Sequence, residues 1–241
     1  LLAAGLGTLI FHLVSKRIVP VFLGSSFAFI GALTLVLKQD GIGAVKGGVI
    51  CAGFVYVFMS IIIKVFGVEK VKSFFPPIIT GPIIMVIGLR MSPVALAMSG
   101  YSNGKFEVKS LIIALSVLTT MIVVSILGKS FFKLVPILIS VIVGYLVSMS
   151  FGIIDFTPIH AANWIGFSKE AFSDLTAVPV FKPSSIIAIA PIAFVVFIEH
   201  IGDITTNGAV VGKDFFKNPG IHRTMLGDGL ATIAAGLIGG P

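Results

Sequence analysis

The sequence predicts an all-α protein that crosses a membrane several times, and three observations carry that reading. Of its 241 residues, 56% are hydrophobic and only 11% are charged. Soluble domains hold about 25% charged residues, so this chain cannot cover itself with polar surface in water. Its apolar runs reach about 20 residues, the length a helix needs to cross the hydrocarbon core. They lack the strict alternation of a transmembrane barrel strand.

Eight apolar segments follow one another. The first is 1–14, ending at Ser15-Lys16-Arg17, and the second is 21–37. The third, 47–63, leads into a basic loop from Lys64 to Lys72. The fourth, 77–98, starts after Phe75-Pro76. The fifth is 108–128, and a turn from Lys129 to Lys133 leads to the sixth, 134–151. A longer loop, 152–183, carries Asp155, His160, Trp164, Glu170 and Asp174. The seventh is 184–206 and the eighth 224–240. Leu1 opens in mid-run without a signal-peptide n-region, and the chain closes on Gly-Gly-Pro. It therefore reads as a piece of a longer polytopic protein.

Alternating the loops from side to side divides the 17 Lys and Arg residues into ten and seven. The richer set, from Lys16 and Arg17 through Lys64 and Lys129 to Arg223, is placed in the cytoplasm. Lys46 falls in the other set, and the 152–183 loop faces outside. The net charge of +7 is thus explained by topology and not by a nucleic acid partner. Cys51 stands alone in an apolar run, which excludes a disulfide framework and a cysteine metal site.

Two stretches depart from plain helix. In 20–29, PVFLGSSFAF, Gly24-Ser25-Ser26 is poor helix while Val21, Phe22, Phe27 and Phe29 suit an extended chain. Extended backbone at membrane depth is tolerated where it is buried in protein or lines a cavity. The stretch reads as a half-strand feeding a short helix, 30–37, whose N-terminus faces a polar ligand. The plainer alternative is a Gly/Ser helix-packing face. The second departure is Gly236 to Pro241, where glycines and a proline end the last helix abruptly. In an inverted repeat a further broken segment would follow there.

The chemistry concentrates in 194–207, FVVFIEHIGDITTN. Glu199, His200 and Asp203 lie in an apolar run, where an ionisable group is expensive and is a functional candidate by default. Glu199 and Asp203 are one helical turn apart and share a face. The alternative is a pair of structural carboxylates tied to a neighbouring helix. His200 points more than a quarter turn away from Glu199, which suits packing or a polar contact as well as a ligand. His12, His160 and His222-Arg223 have ordinary interfacial or solvated roles. No His/Cys/Asp spacing suggests a metal, no phosphate loop appears, and no nucleophile arrangement suggests an enzyme or a cofactor.

These residues, ordered along the whole chain, resemble the nucleobase–cation symporter family (nucleobase–ascorbate transporters), its uracil permease branch most closely. The matching stretches are LGSSFAFI at 23–30, FFPPIITGPIIMVIGL at 74–89, PILISVIVGYLVSMSFGIID at 136–155, EHIGD at 199–203 and KDFFKNPGIHRTMLGDGLATIAAGLIGGP at 213–241. GSSFAFI and the block from EHIGD to PGIHR are the specific ones. The resemblance implies a multi-pass protein of the cell membrane, a fragment of a 7+7 inverted-repeat transporter with a short half-strand in the third family segment. Residues 1–73 and 184–241 would belong to its core domain, 74–151 to its gate domain, and 152–183 to an extracellular loop. Roughly the second to ninth family segments are covered, and the site's second carboxylate would lie beyond Pro241.

By that resemblance Glu199 hydrogen-bonds the base and the backbone around Phe27, from Ser26 through Ala28 to Phe29, approaches it. Uracil offers two N–H donors and two carbonyl acceptors. A carboxylate supplies acceptors only and backbone N–H groups supply donors, so the two sets are complementary. Phe27 or Phe29 would cover a ring face. Asp203 stands where a uracil permease carries a His linked to proton coupling, so Glu199 and Asp203 are read as sharing the coupled proton. His200 and Asp228 are weaker candidates, Asp228 through a contact with the seventh segment. The implied function is uracil import by proton symport, with uracil or a related nucleobase, the proton and the bilayer as partners, and a homodimer through the gate domain. A xanthine, urate or other nucleobase carrier remains open because residue 203 is Asp. An anion exchanger or channel on the related fold would instead favour a positive group at the site.

Overall fold

The computed structural model describes residues 1–67, 69–70, 77–102, 104–129, 132, 135–158 and 169–240. The expectations attached to Pro76, His160, Trp164 and Pro241 lie outside these residues. The chain divides into two compact units, one of residues 1–87 and 167–241 and one of 88–166.

In the first unit, α1 (Leu2–Val14) is followed by an irregular stretch and a 3-10 turn, Phe27–Phe29, which runs directly into α2 (Ile30–Asp40). The extended stretch expected over 20–29 is therefore shorter. Residues 20–26 pair in no sheet, and helical geometry starts at Phe27, not at 30. The cause is Ser26, whose backbone is extended and whose hydroxyl accepts the Ala28 N–H. That is an N-cap, and it begins the helix early. The long α3 (Ile42–Phe66) follows, then α4 (Pro77–Met98), which enters the second unit.

The second unit holds an element that the all-α expectation missed. Strands β1 (Tyr101–Ser102) and β2 (Lys105–Phe106) pair antiparallel, with Tyr101 opposite Phe106. The signal was the Asn103-Gly104 dipeptide, which closes two-residue hairpins. Helices α5 (Val108–Leu127) and α6 (Pro136–Ser150) complete the described part of this unit. They approach closely at Gly144, where a Cβ would strike the Val117 side chain.

The first unit resumes with α7 (Lys169–Thr176), a helix inside the stretch read as a loop. The seventh segment is two helices, α8 (Pro183–Ile189) and α9 (Ile192–Val211), broken at Ala190-Pro191, where Pro191 has no N–H to continue the ladder. A turn through Phe216–Gly220 leads to α10 (Ile221–Ile238). Among the described residues three stretches are long and apolar enough to cross a membrane, Ile42–Phe66, Val108–Leu127 and Pro183–Val211. With the shorter apolar helices Leu2–Val14 and Pro136–Ser150, they make this a mostly helical polytopic membrane protein.

Helices α3 and α10 form the centre of the first unit and meet backbone to backbone. A Cβ on Gly53 would lie 2.9 Å from Gly229 O, and one on Gly229 would lie 3.0 Å from Gly53 O. Only glycine permits that approach, the small-residue packing expected between membrane helices. Tyr56, Ile63, Ile189, Phe197 and Met225 fill the core around this contact.

At one end of α3 a strap of chain, residues 174–182, lies along the helix. Lys46, expected in a loop, lies within α3 and is 1% exposed. Its ammonium donates to Leu175 O at 3.1 Å, in the last turn of α7, and to Ala177 O at 2.7 Å, just past it. A cation there also meets the negative end of that helix. The Val180 N–H donates to Gly43 O at 2.8 Å, and Gly43 leaves room for Val178 O. Lys182 pairs with Asp40 at 2.8 Å, and the Ser184 and Ser185 hydroxyls donate to the same carboxylate. The Lys182 ammonium beside Asp40 holds its carboxyl below the usual carboxylate value.

Candidate functional site

Among the residues that α9 buries, Ala193, Phe197, His200 and Ile204 form a stripe, with Val196 and Ile198 buried beside it. The stripe follows the three-to-four spacing of a helix face. Glu199 and Asp203 sit one position off it, and both line a cavity of about 260 Å³. Liquid water takes roughly 30 Å³ per molecule, so the space accommodates a small planar ligand. One side of the wall is the irregular backbone from Val21 to Ser26 together with Phe29. Val49 and Tyr56 of α3, and Asp228 and Thr232 of α10, line it as well.

Ser26 ties the two sides together. Its hydroxyl donates to Glu199 Oε2 at 2.9 Å while its oxygen accepts the Ala28 N–H at 3.3 Å. The residue that caps the 3-10 turn thus also aims the carboxylate. Thr8 does similar work upstream. Its hydroxyl donates to Ala4 O and accepts the Leu23 N–H at 3.0 Å, fixing the irregular stretch to α1.

His200 is 7% exposed and bridges to α10. Nε2 lies 3.0 Å from Thr224 Oγ1 and Nδ1 lies 3.2 Å from Asp228 Oδ2. The Thr224 hydroxyl donates to Ile221 O, so Nε2 is the donor to Thr224. The contact expected between Asp228 and the seventh segment is present, in the approach of His200 Nδ1 to the Asp228 carboxylate.

Of the residues singled out in the sequence, Ser26, Phe29, Glu199, His200, Asp203 and Asp228 line this cavity. Glu199 is half-buried, whereas Asp203 is exposed. The Phe27 side chain is 68% exposed, and neither Phe27 nor Ala28 lines the cavity. Phe29, 8% exposed, is the ring placed to cover a ligand. Sequence reasoning missed Thr8, Tyr56, Thr224 and Thr232. For the last two a signal existed, since Thr224, Asp228 and Thr232 are spaced by four and so share one face of α10. Among the described residues no group of His, Cys, Asp and Glu has the geometry of a metal site.

A family model described as "Permease family" matches residues 1–241. The chain belongs to the Permease family. It is 39% identical over 242 residues to a probable uracil permease of Haemophilus influenzae, a match covering 100% of this chain and 57% of that protein. It is 37% identical over 246 residues to a uracil permease of Bacillus subtilis, covering 100% and 57% respectively. A uracil permease of Escherichia coli is 36% identical over 242 residues, covering 99% of this chain and 55% of that protein. The chain spans a little over half the length of these curated relatives. The resemblance carried by LGSSFAFI and EHIGD is borne out by these matches.

Proposed function

We propose that this chain forms the ligand-holding part of a secondary active transporter, not an enzyme, that imports uracil across the cell membrane by proton symport. The observation that carries the reading is the cavity in which Ser26 presents the Glu199 carboxylate beside irregular backbone. Uracil permeases among the chain's relatives supply the substrate. Glu199 accepts ring N–H groups, and the backbone and side-chain donors of the opposite wall serve the carbonyls. A base lacking the N–H would leave the half-buried Glu199 carboxylate one donor short, which is how such a site discriminates.

In this reading residues 1–73 and 184–241 are core-domain helices of a 7+7 repeat, 74–151 are gate-domain helices that also carry a homodimer contact, and 152–183 face outside. Glu199 and Asp203 share the coupled proton. It neutralises one charge of the acidic face, uracil binds, and the core rocks against the gate to release both inside. Asp203 also supports a second reading, in which the same site takes xanthine or another nucleobase.

The test is radiolabelled uracil uptake by the full-length carrier in cells lacking their own uracil carrier, with and without a proton gradient. Gradient-dependent uptake that unlabelled uracil blocks and xanthine does not is the expected result. Block by xanthine would move the assignment to a purine carrier. No uptake of either, from protein shown to reach the membrane, would end the nucleobase reading.

A further inference from the structure

Two buried side-chain polar atoms among the described residues have no hydrogen-bond partner, Ser15 Oγ and Tyr56 Oη. Ser15 is not part of the cavity wall, and Tyr56 is. Tyr56 is 1% exposed. Its ring is pinned at the base by the α3–α10 contact, where a Cβ on Gly229 would lie 3.0 Å from Tyr56 Cβ. A phenol both donates and accepts. Buried without a partner it is costly, and such an atom in a folded protein calls for something that completes it.

The other hydroxyl protons of the wall are committed or can reach water. Ser26 donates to Glu199 and Thr232 donates to Asp228 O. Ser25 is exposed, and Asn207, whose amide also donates, is half-buried. Tyr56 is the fully buried hydroxyl of the wall whose proton is unspent. The carboxylates around it, Glu199, Asp203 and Asp228, supply acceptors when ionised and no donor.

We propose that Tyr56 is a further binding residue of this cavity, its hydroxyl donating to a carbonyl oxygen of the bound nucleobase while Glu199 accepts a ring N–H. The assignment rests on the nucleobase reading above. It gives the ligand one anchor on α3 and one on α9, so that a base is held by two helices and the capped turn between them. Specificity follows from the pair. A ring without the N–H fails at Glu199, and a ring without the carbonyl leaves the phenol as unpaired as before.

The experiment compares wild-type full-length carrier with Tyr56→Phe, which removes the oxygen and keeps the ring. Uracil, 2-thiouracil and 4-thiouracil affinities are measured together with the ligand-free Tm. Sulfur is a poor acceptor, so one thio analogue should bind the wild type less well than uracil does. The expected result is a Tm unchanged or raised, because an orphan hydroxyl has gone. Uracil affinity should fall roughly threefold to tenfold, the worth of one hydrogen bond, and the penalty on that thio analogue should disappear in the variant. Tyr56→Phe binding all three ligands as the wild type does would overturn the proposal. A ligand-free Tm lowered by the substitution would overturn it too, by revealing a structural partner for the hydroxyl. Wild-type carrier that binds none of the three would remove the nucleobase reading itself, an outcome that does not involve the variant.

Discussion

Helix α3 carries two fully buried polar side chains ten residues apart, and they meet opposite circumstances. Lys46 donates to two carbonyls and is enclosed by the strap that supplies them. Tyr56 reaches no partner and stands in the wall of a cavity bordered by three carboxylates. The difference separates structure from function. A buried cation tied to two backbone carbonyls holds a fold together. A buried hydroxyl with bonding capacity to spare, beside carboxylates that line an open cavity, suits something that arrives later. On the proposed reading, the strap end of the first unit serves stability and the Glu199 end serves binding.

The largest expected effect falls on the binding end. Glu199→Gln removes a charged acceptor and presents an amide N–H in its place. Hydrogen bonds to charged groups are worth about 1.5–3 kcal/mol, so uracil uptake by the full-length carrier should fall at least about tenfold. Uptake within twofold of wild type would detach the cavity from transport. Lys46→Met should do the reverse. It leaves the half-buried Leu175 O and Ala177 O without their donor, at a total cost of about 1–3 kcal/mol. Thermal unfolding should shift by several degrees while the KM for uracil stays near wild type. A changed KM with an unchanged Tm would break the division between the two ends.

Thr8→Val joins them. The substitution keeps the shape of the side chain but strips the acceptor from the Leu23 N–H. A loss of about 1 kcal/mol in stability is expected, accompanied by a modest rise in KM because Leu23 lines the cavity. A loss of stability with no change in KM would make Thr8 part of the scaffold alone. The smallest effect belongs to Asp40, whose pair with Lys182 is partly exposed. Its folded-state pKa is lowered, so the stabilisation is present above the unfolded value of about 3.9 and is lost as pH falls through the folded value below it. Asp40→Asn should lower Tm slightly and equally between pH 5 and 8. The difference should close only in strong acid, and one that changed across pH 5–8 would assign the titration to another group.

Much of this architecture was legible in the sequence for simple reasons. Bilayer thickness sets helix length, so runs such as 108–128 announce themselves, and carboxylates at 199 and 203 stand out because charge is scarce there. What stayed hidden depends on partners distant in sequence. Lys46 looked like a loop cation because its two carbonyls lie about 130 positions away. The Ser26–Glu199 bond spans 173 positions, so nothing near Ser26 in the sequence marked it as the residue that holds the carboxylate. The hairpin at 101–106 and the helix at 169–176 were missed because each is short, and short elements leave little periodicity to read.

The most direct test of the central claim is the shift in Tm that uracil produces in purified full-length carrier, measured for wild type, Lys46→Met and Glu199→Gln. A ligand that binds the folded state raises Tm in proportion to its occupancy. The account predicts that uracil raises the Tm of wild type and of Lys46→Met by similar amounts, although the second starts lower, and leaves Glu199→Gln where it was. Equal stabilisation of Glu199→Gln and wild type would contradict it, because the ligand would then be held somewhere other than the Glu199 cavity.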